Sequence, residues 1–273
     1  MKSLMFSVLF VFVFVSGCNV KKTEIGESQK NSFSPKGNWI DLTYSFDEES
    51  VYWPTNIPFK HETVFEGIND KGYFYSSYKF SAEEHGGTHF DAPNHFGQNK
   101  NSVEKIPVEQ FMGEGVVVNV TEAVLKNRDY QITVADLKNW EDKHGLIPEG
   151  AIVLLYTGFG KFYTDKVSYT GTSKSGASAV PELHFPGLHP DAAKWLAAER
   201  KINAVGLDTP SIDYGQSQDF MTHRILCDKN MTMYENVANL EKLPPKGSWI
   251  IALPMKIKGG SGAPLRIIAC VSN

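Results

Sequence analysis

The chain has 273 residues, of which 41% are hydrophobic and 21% charged, and its formal net charge is −4. That length and apolar content suffice for one large core or two small ones. The mild acidity and the lack of any Lys/Arg run leave no footprint for a phosphate backbone, so nucleic acid is not an expected partner.

Residues 1–17 (MKSLMFSVLFVFVFVSG) carry one positive charge, Lys2, and then an apolar run from Leu4 to Val15 broken only by Ser7. Such a run is too short to cross a bilayer, which takes about 20 residues. A basic start, a short apolar stretch and small residues at its end are the pattern of an export signal. The ending Val15-Ser16-Gly17-Cys18 resembles the bacterial lipobox. That resemblance implies a lipid on the Cys18 thiol and an exported protein anchored to a membrane of the bacterial cell envelope. An ordinary secretory signal with a coincidental cysteine is the alternative. Residues 18–36 are polar and read as a tether, and residues 37–273 read as one domain without linkers or repeats. Cys227 and Cys270 are too few for a disulfide framework and are expected as buried free thiols.

Within the domain, Trp39–Phe46 and Tyr73–Phe80 are rich in aromatic and β-branched residues, as strands are. Val116–Val120 and Ala151–Tyr156 are short continuous apolar runs that suit strands covered on both faces. Thr133 is placed to cap a helix through Val134, Leu137 and Trp140, with Asp136 in the capping-box position. His189-Pro190-Asp191 opens a second helix with Ala192, Ala193, Leu196 and Ala197 as its apolar stripe. Ile202–Asp208 reads as a strand, Tyr234–Leu243 as helical, and SWIIALPMKI with LRIIACV as a final strand pair. The alternation predicts an α/β or mixed α+β domain, a mixed sheet flanked by helices.

The stretch EEHGGTHFDAPNHFGQ, beginning at Glu83, packs His85, His89, Asp91 and His95 into eleven residues. It is not a zinc-binding helix, because Gly86-Gly87 weakens a helix and Pro93 stops one. As a turn entering an extended segment, it would direct His89 and Asp91 to one face. The glycines would let the backbone bend His85 back toward them. Imidazole and carboxylate without thiolate suit a catalytic zinc, manganese or iron site. A local hydrogen-bonded turn network is the alternative. His61, His144, His184 and His189 stand apart from the cluster and read as ordinary surface or core residues.

The pattern HxGTHxDxPxHF resembles the signature of the metal-dependent cyclase-like hydrolases, a family that includes bacterial kynurenine formamidase and isatin hydrolase. His85, Gly87, Thr88, His89, Asp91, Pro93, His95 and Phe96 match it. FPGLHPDAAKWL, VGLDTPSID, ENVANLEKLP and GGSGAPLRIIA resemble further family blocks, so the likeness runs from about Trp39 to Val271. It implies a single cyclase-like swivelling β/α/β domain. It also implies metal ligands at His85, His89, Asp91, His223 and Glu235, the last two twelve positions apart. Asp91 and Glu235 would bridge two divalent cations, zinc or manganese, and His95 would move protons rather than bind metal. Asp208 and Asp213 are candidates to orient the imidazoles, and Trp53 to line a substrate pocket or pack in the core. The implied substrate is a small amide: an arylformamide such as N-formylkynurenine first, then isatin or another cyclic amide or lactone. The family likeness is compatible with a homodimer. A non-enzymatic lipoprotein that captures metal or a small ligand is the reading of another class; it would have no use for His95.

Overall fold

The structure, a computed structural model, describes residues 37–272. The export signal, Cys18 and the tether lie outside the described residues. The first strands are β1 (Asn38–Asp41), β2 (Lys60–Ile68), β3 (Phe74–Ser81), β4 (His89–Asp91) and β5 (Met112–Asn119). There follow α1 (Thr121–Lys126), β6 (Gln131–Ile132), α2 (Val134–His144), β7 (Ile152–Tyr156), α3 (Lys166–Thr170), β8 (Gly187–Leu188) and α4 (Pro190–Trp195). The chain ends with β9 (Ala204–Leu207), α5 (Met221–Asp228), β10 (Thr232–Glu235), β11 (Ser248–Pro254) and β12 (Gly262–Val271).

The main sheet runs β1-β12-β11-β5-β7-β9-β10-β4. Strands β5, β7, β9 and β10 are parallel neighbours, as expected where helices link successive strands. The long β12 closes the sheet. One of its edges pairs with β11, and the other pairs first with β4 through Gly262–Pro264 and then with β1 through Ile268–Val271. The result is a barrel with helices outside it, the mixed α/β domain expected from the alternation of elements.

Side-chain alternation divides the interior into two cores. Phe90, Val117, Ile152, Leu154, Tyr234, Ile250 and Ile267 fill the barrel. Val116, Val118, Val153, Leu155, Val205 and Met233 point outward and are covered by Leu137, Trp140, Ala193, Leu196 and Leu226 of the helices. Burial on both faces is why β5 and β7 read as unbroken apolar runs. Cys227 and Cys270 are buried free thiols, as expected. β2 and β3 form a separate two-stranded ribbon that leaves Phe74, Tyr75, Tyr78 and Phe80 exposed.

Two expectations fail. Tyr234–Leu243 is not a helix: Tyr234 and Glu235 end β10, and Leu240–Lys242 form only a short 3-10 turn. Strand β10 lies between β9 and β4, so tertiary pairing overrides the local helical pattern, and Asn236 and Asn239 take left-handed conformations that stop a helix. Likewise Trp39–Phe46 is a strand only to Asp41, after which the chain leaves the sheet.

Helix α2 carries the capping box read from its sequence: Thr133 accepts from the Asp136 N–H and the Asp136 carboxylate accepts from the Thr133 N–H. Thr133→Ala should cost about 1 kcal/mol. The melting temperature should then fall by roughly 2–4 °C with metal content unchanged.

Candidate metal centre and its cavity

The site is built outside the barrel, where β4 and β10 lie side by side. Their register sets Glu235 opposite His89, Tyr234 opposite Phe90 and Met233 opposite Asp91. Because Phe90 and Tyr234 fill the barrel, the strand period puts His89, Asp91 and Glu235 on the outer face. Helix α5 covers that face and brings His223 to it. The backbone that feeds β4 needs both glycines. A Cβ on Gly86 would lie 2.1 Å from the Tyr52 ring, and Gly87 has φ +57°. Asn236, directly after Glu235, locks the turn by donating to Gly87 O at 2.7 Å while its own carbonyl accepts from Thr88 at 2.7 Å.

Five side chains converge: His85, His89, Asp91, His223 and Glu235. His89 Nε2 lies 3.3 Å from both Asp91 Oδ1 and Glu235 Oε2. His223 Nε2 lies 3.3 Å from Asp91 Oδ2 and 3.2 Å from Glu235 Oε1. His85 bends back so that its Nδ1 is 2.7 Å from Asp91 Oδ1. All but His85 are essentially buried. Two sets of ligand atoms lie within 4.8 Å of one another, His85 with Asp91 and His95, and His89 with Asp91 and Glu235. Asp91 belongs to both.

The outer partners of these groups are explicit. His89 Nδ1 donates to Gly87 O at 3.0 Å. His223 Nδ1 donates to Asp213 Oδ2 at 2.6 Å. Asp213 also accepts the N–H groups of Thr222 and His223, so one carboxylate holds both the start of α5 and its imidazole. Asp208, the other candidate for this task, does not reach an imidazole. It accepts from the N–H groups of Thr157, Gly158 and Gly160 and from the Thr157 hydroxyl, and so clasps the loop after β7. Glu235 is held by the Ile212 N–H at 2.7 Å.

These bonds make the cluster a fit for cations. With Nδ1 of His89 and His223 committed as donors, the neutral rings would aim Nε2 lone pairs at two buried carboxylates. That arrangement is repulsive unless positive charge stands between them. Without metal, protons supply it. Burial opposes a charged His89, yet Asp91 and Glu235 outweigh it and raise its pKa to about 10. His223 is raised in the same way by Asp213, Asp91 and Glu235 against its burial. Burial would raise Asp91, but His85, His89 and His223 hold it well below the usual carboxylate range. Asp91 Oδ2 is buried and accepts no hydrogen bond, an open position for a cation. The donor set of imidazole and carboxylate oxygen suits zinc or manganese.

His95 sits in a 3-10 turn after β4 with its ring stacked on His85, centroids 3.8 Å apart. Among the described residues its ring nitrogens have no hydrogen-bond partner. Burial, opposed by Asp91 and reinforced by the neighbouring imidazoles, pushes it down to about 3. It therefore stands neutral at physiological pH.

A cavity of about 260 Å³ opens onto these groups. Trp53 lines it and also packs against the outer core. Phe96 and Phe220, whose rings lie 5.4 Å apart, also line it, and Phe220 packs edge-on against Trp53. Phe220 was not singled out from sequence. It is a bulky residue at φ 49°, a conformation rare for such side chains, and the N-cap of α5. Asn236, Glu84 and Ser261 also went unassigned, although Glu84 precedes His85, Asn236 follows Glu235, and Ser261 lies in the GGSG block.

Comparison with known proteins identifies relatives of this chain. Residues 40–214 match the family described as "Cyclase: Putative cyclase". Isatin hydrolase of Roseibium aggregatum is 32% identical over 196 residues, 69% of this chain and 72% of that one. Kynurenine formamidase of Bacillus mycoides is 26% identical over 231 residues, 84% of this chain and 96% of that one. The solved structure of isatin hydrolase A from Ralstonia solanacearum superposes with a TM-score of 0.78 at 34% identity, covering 86% of this chain and 92% of its own.

Metal binding should release protons, because cations displace those held on His89 and His223. Below a pKa of about 10 the His89 proton is present. Zinc affinity should therefore weaken as pH falls from 8 to 6, about tenfold per unit for each proton displaced. Calorimetry in two buffers of different ionisation enthalpy counts the protons released. A count of zero at pH 7 would contradict this account of the cluster.

Proposed function

The chain belongs to the putative cyclase family, and from that premise we propose that it hydrolyses the ring amide of a small, neutral, aromatic lactam of the isatin type. Its relatives are hydrolases that act on amide bonds, which supports metal-dependent amide hydrolysis as the reaction class. The observation that carries the finer reading is the cavity wall. Trp53, Phe96 and Phe220 offer flat apolar surfaces directly above the imidazole–carboxylate cluster. Among the described residues no Lys or Arg lines the cavity, and the carboxylates that line it are those of Glu83 and Glu235. N-formylkynurenine carries a free carboxylate, and burying it there would leave it unpaired. A neutral ring amide has no such cost. The arylformamidase reading stands second, supported by the longer span shared with kynurenine formamidase.

His85, His89, Asp91, His223 and Glu235 would hold two divalent cations, whose charge polarises a carbonyl and acidifies water. The protein's own groups do the rest. Asp91 and Glu235 set the position of the charge, and the hydrogen bonds from Ile212 N–H to Glu235 and from His223 Nδ1 to Asp213 keep that position from relaxing. Trp53 and Phe220, in edge-to-face contact with ring centroids 6.0 Å apart, form an apolar wall against which a planar substrate would lie. His95, neutral at physiological pH, takes a proton from the attacking water as the new C–O bond forms. It returns that proton to the ring nitrogen as the C–N bond breaks, because an amide anion leaves poorly. Export and lipidation at Cys18 belong to the same proposal and would place the enzyme on the envelope; Cys18→Ser should then leave the protein soluble after cell fractionation.

His95→Ala should lower turnover by about 10²-fold or more. Metal content by elemental analysis should stay at the wild-type level; loss of an ion would reassign His95 as a ligand. Steady-state kinetics with both substrates test the specificity: kcat/KM for isatin should exceed that for N-formylkynurenine by roughly tenfold or more. The reverse preference would transfer the assignment to an arylformamidase. Cleavage of neither, by protein that holds metal, would favour a capture protein.

A further inference from the structure

The three imidazoles aimed at Asp91 and Glu235 do not present the same nitrogen. His89 and His223 turn Nε2 inward and commit Nδ1 to Gly87 O and Asp213. His85 is reversed. Its Nδ1 faces Asp91, and its Nε2 lies 2.9 Å from Ser261 Oγ. Ser261 Oγ in turn lies 2.7 Å from Glu84 Oε2. That carboxylate oxygen also accepts the N–H groups of Ser261 at 2.8 Å and Gly262 at 3.2 Å.

The direction of these bonds follows from the groups themselves. A carboxylate accepts and cannot donate, so the single hydroxyl hydrogen of Ser261 points to Glu84. What Ser261 offers His85 is a lone pair, and His85 Nε2 must carry a hydrogen to meet it. The nitrogen left to offer a lone pair to a cation is Nδ1. The fold holds this arrangement closely. Gly262 pairs with Asp91 across β12 and β4, and a Cβ on Gly262 would come within 2.5 Å of His85 Cε1. The GGSG segment therefore reaches His85 from the far end of the chain because β12 closes the barrel against β4.

We propose that Glu84 and Ser261 are positioning residues that fix His85 as its Nε2–H tautomer and thereby make Nδ1 its metal-binding atom. The proposal rests on the metal-centre reading above. It assigns a task to the GGSG block, which neither the ligand set nor the proton transfer uses, and it makes the first motif dependent on a hydroxyl 176 positions away.

The test uses the full domain and two readouts other than turnover: zinc affinity by competition with a chelator, and the imidazole resonances of the zinc-loaded protein by ¹⁵N NMR. In the wild type, His85 should show a metal-bound Nδ1 and a hydrogen-bonded Nε2–H protected from exchange. Ser261→Ala should weaken zinc binding by roughly 10- to 100-fold and abolish that protection. The melting temperature of the metal-free protein reports whether the variant folds. Ser261→Thr keeps the hydroxyl and should recover most of the affinity; if Ser261→Ala misfolds, Glu84→Gln gives the same readouts and should show a smaller loss. Zinc affinity within about twofold of wild type in Ser261→Ala, with His85 Nε2–H still protected, would overturn the proposal. Zinc on His85 Nε2 in the wild type would do so as well. Failure of the wild type to hold zinc at all would instead overturn the metal-centre reading, and the proposal with it.

Discussion

Two buried carboxylates, Asp91 and Glu235, share the imidazoles of His89 and His223 at the floor of the cavity, and that cluster is repulsive without positive charge inside it. An unpaired buried carboxylate costs several kcal/mol, far more than any single local preference in the chain supplies. The surrounding structure can be read as the means of holding these groups where a cation satisfies them. Asp213 anchors the start of α5 and aims His223, Ile212 N–H fixes Glu235, and Asn236 clamps the turn before β4. Protons on His89 and His223 supply that charge, and a divalent ion held by the same residues would supply it in their place.

Barrel closure is the second requirement. β4 is only three residues long and would be a weak strand by itself. It is held by β10 on one side and β12 on the other, so the first motif is positioned by segments more than 140 residues later in the chain. Phe90 and Tyr234 anchor the same strands inside the barrel. Their burial and the ligand geometry are two faces of one register, and a slip by one residue would turn His89 and Asp91 into the apolar core.

Much of this was legible in the sequence because its signals are local. The alternation of His89, Phe90 and Asp91 declares an extended segment with two ligands on one face, and the Thr133/Asp136 pair declares the start of α2. Glu235 is a candidate ligand only through the family resemblance, which implies a Glu twelve positions after a His, while its local pattern reads as helix. The strand identity of β10 depends on neighbours distant in sequence. The same cause hid the bonds of His85 to Ser261 and the role of Phe220. Ser261 in a glycine-rich loop has no local signature of a histidine partner, and a left-handed Phe is visible only once the turn before α5 is built. Asp208 and Asp213 look alike in sequence and separate only in space, one clasping a loop and the other an imidazole.

The central claim is that Asp91 is the shared carboxylate of a two-cation cluster formed with His85, His89, His223 and Glu235. Anomalous diffraction at the zinc edge from crystals grown with zinc tests it most directly. The account predicts two anomalous peaks, one on either side of the Asp91 carboxylate. Peaks that do not touch Asp91, or none among these five side chains, would contradict it.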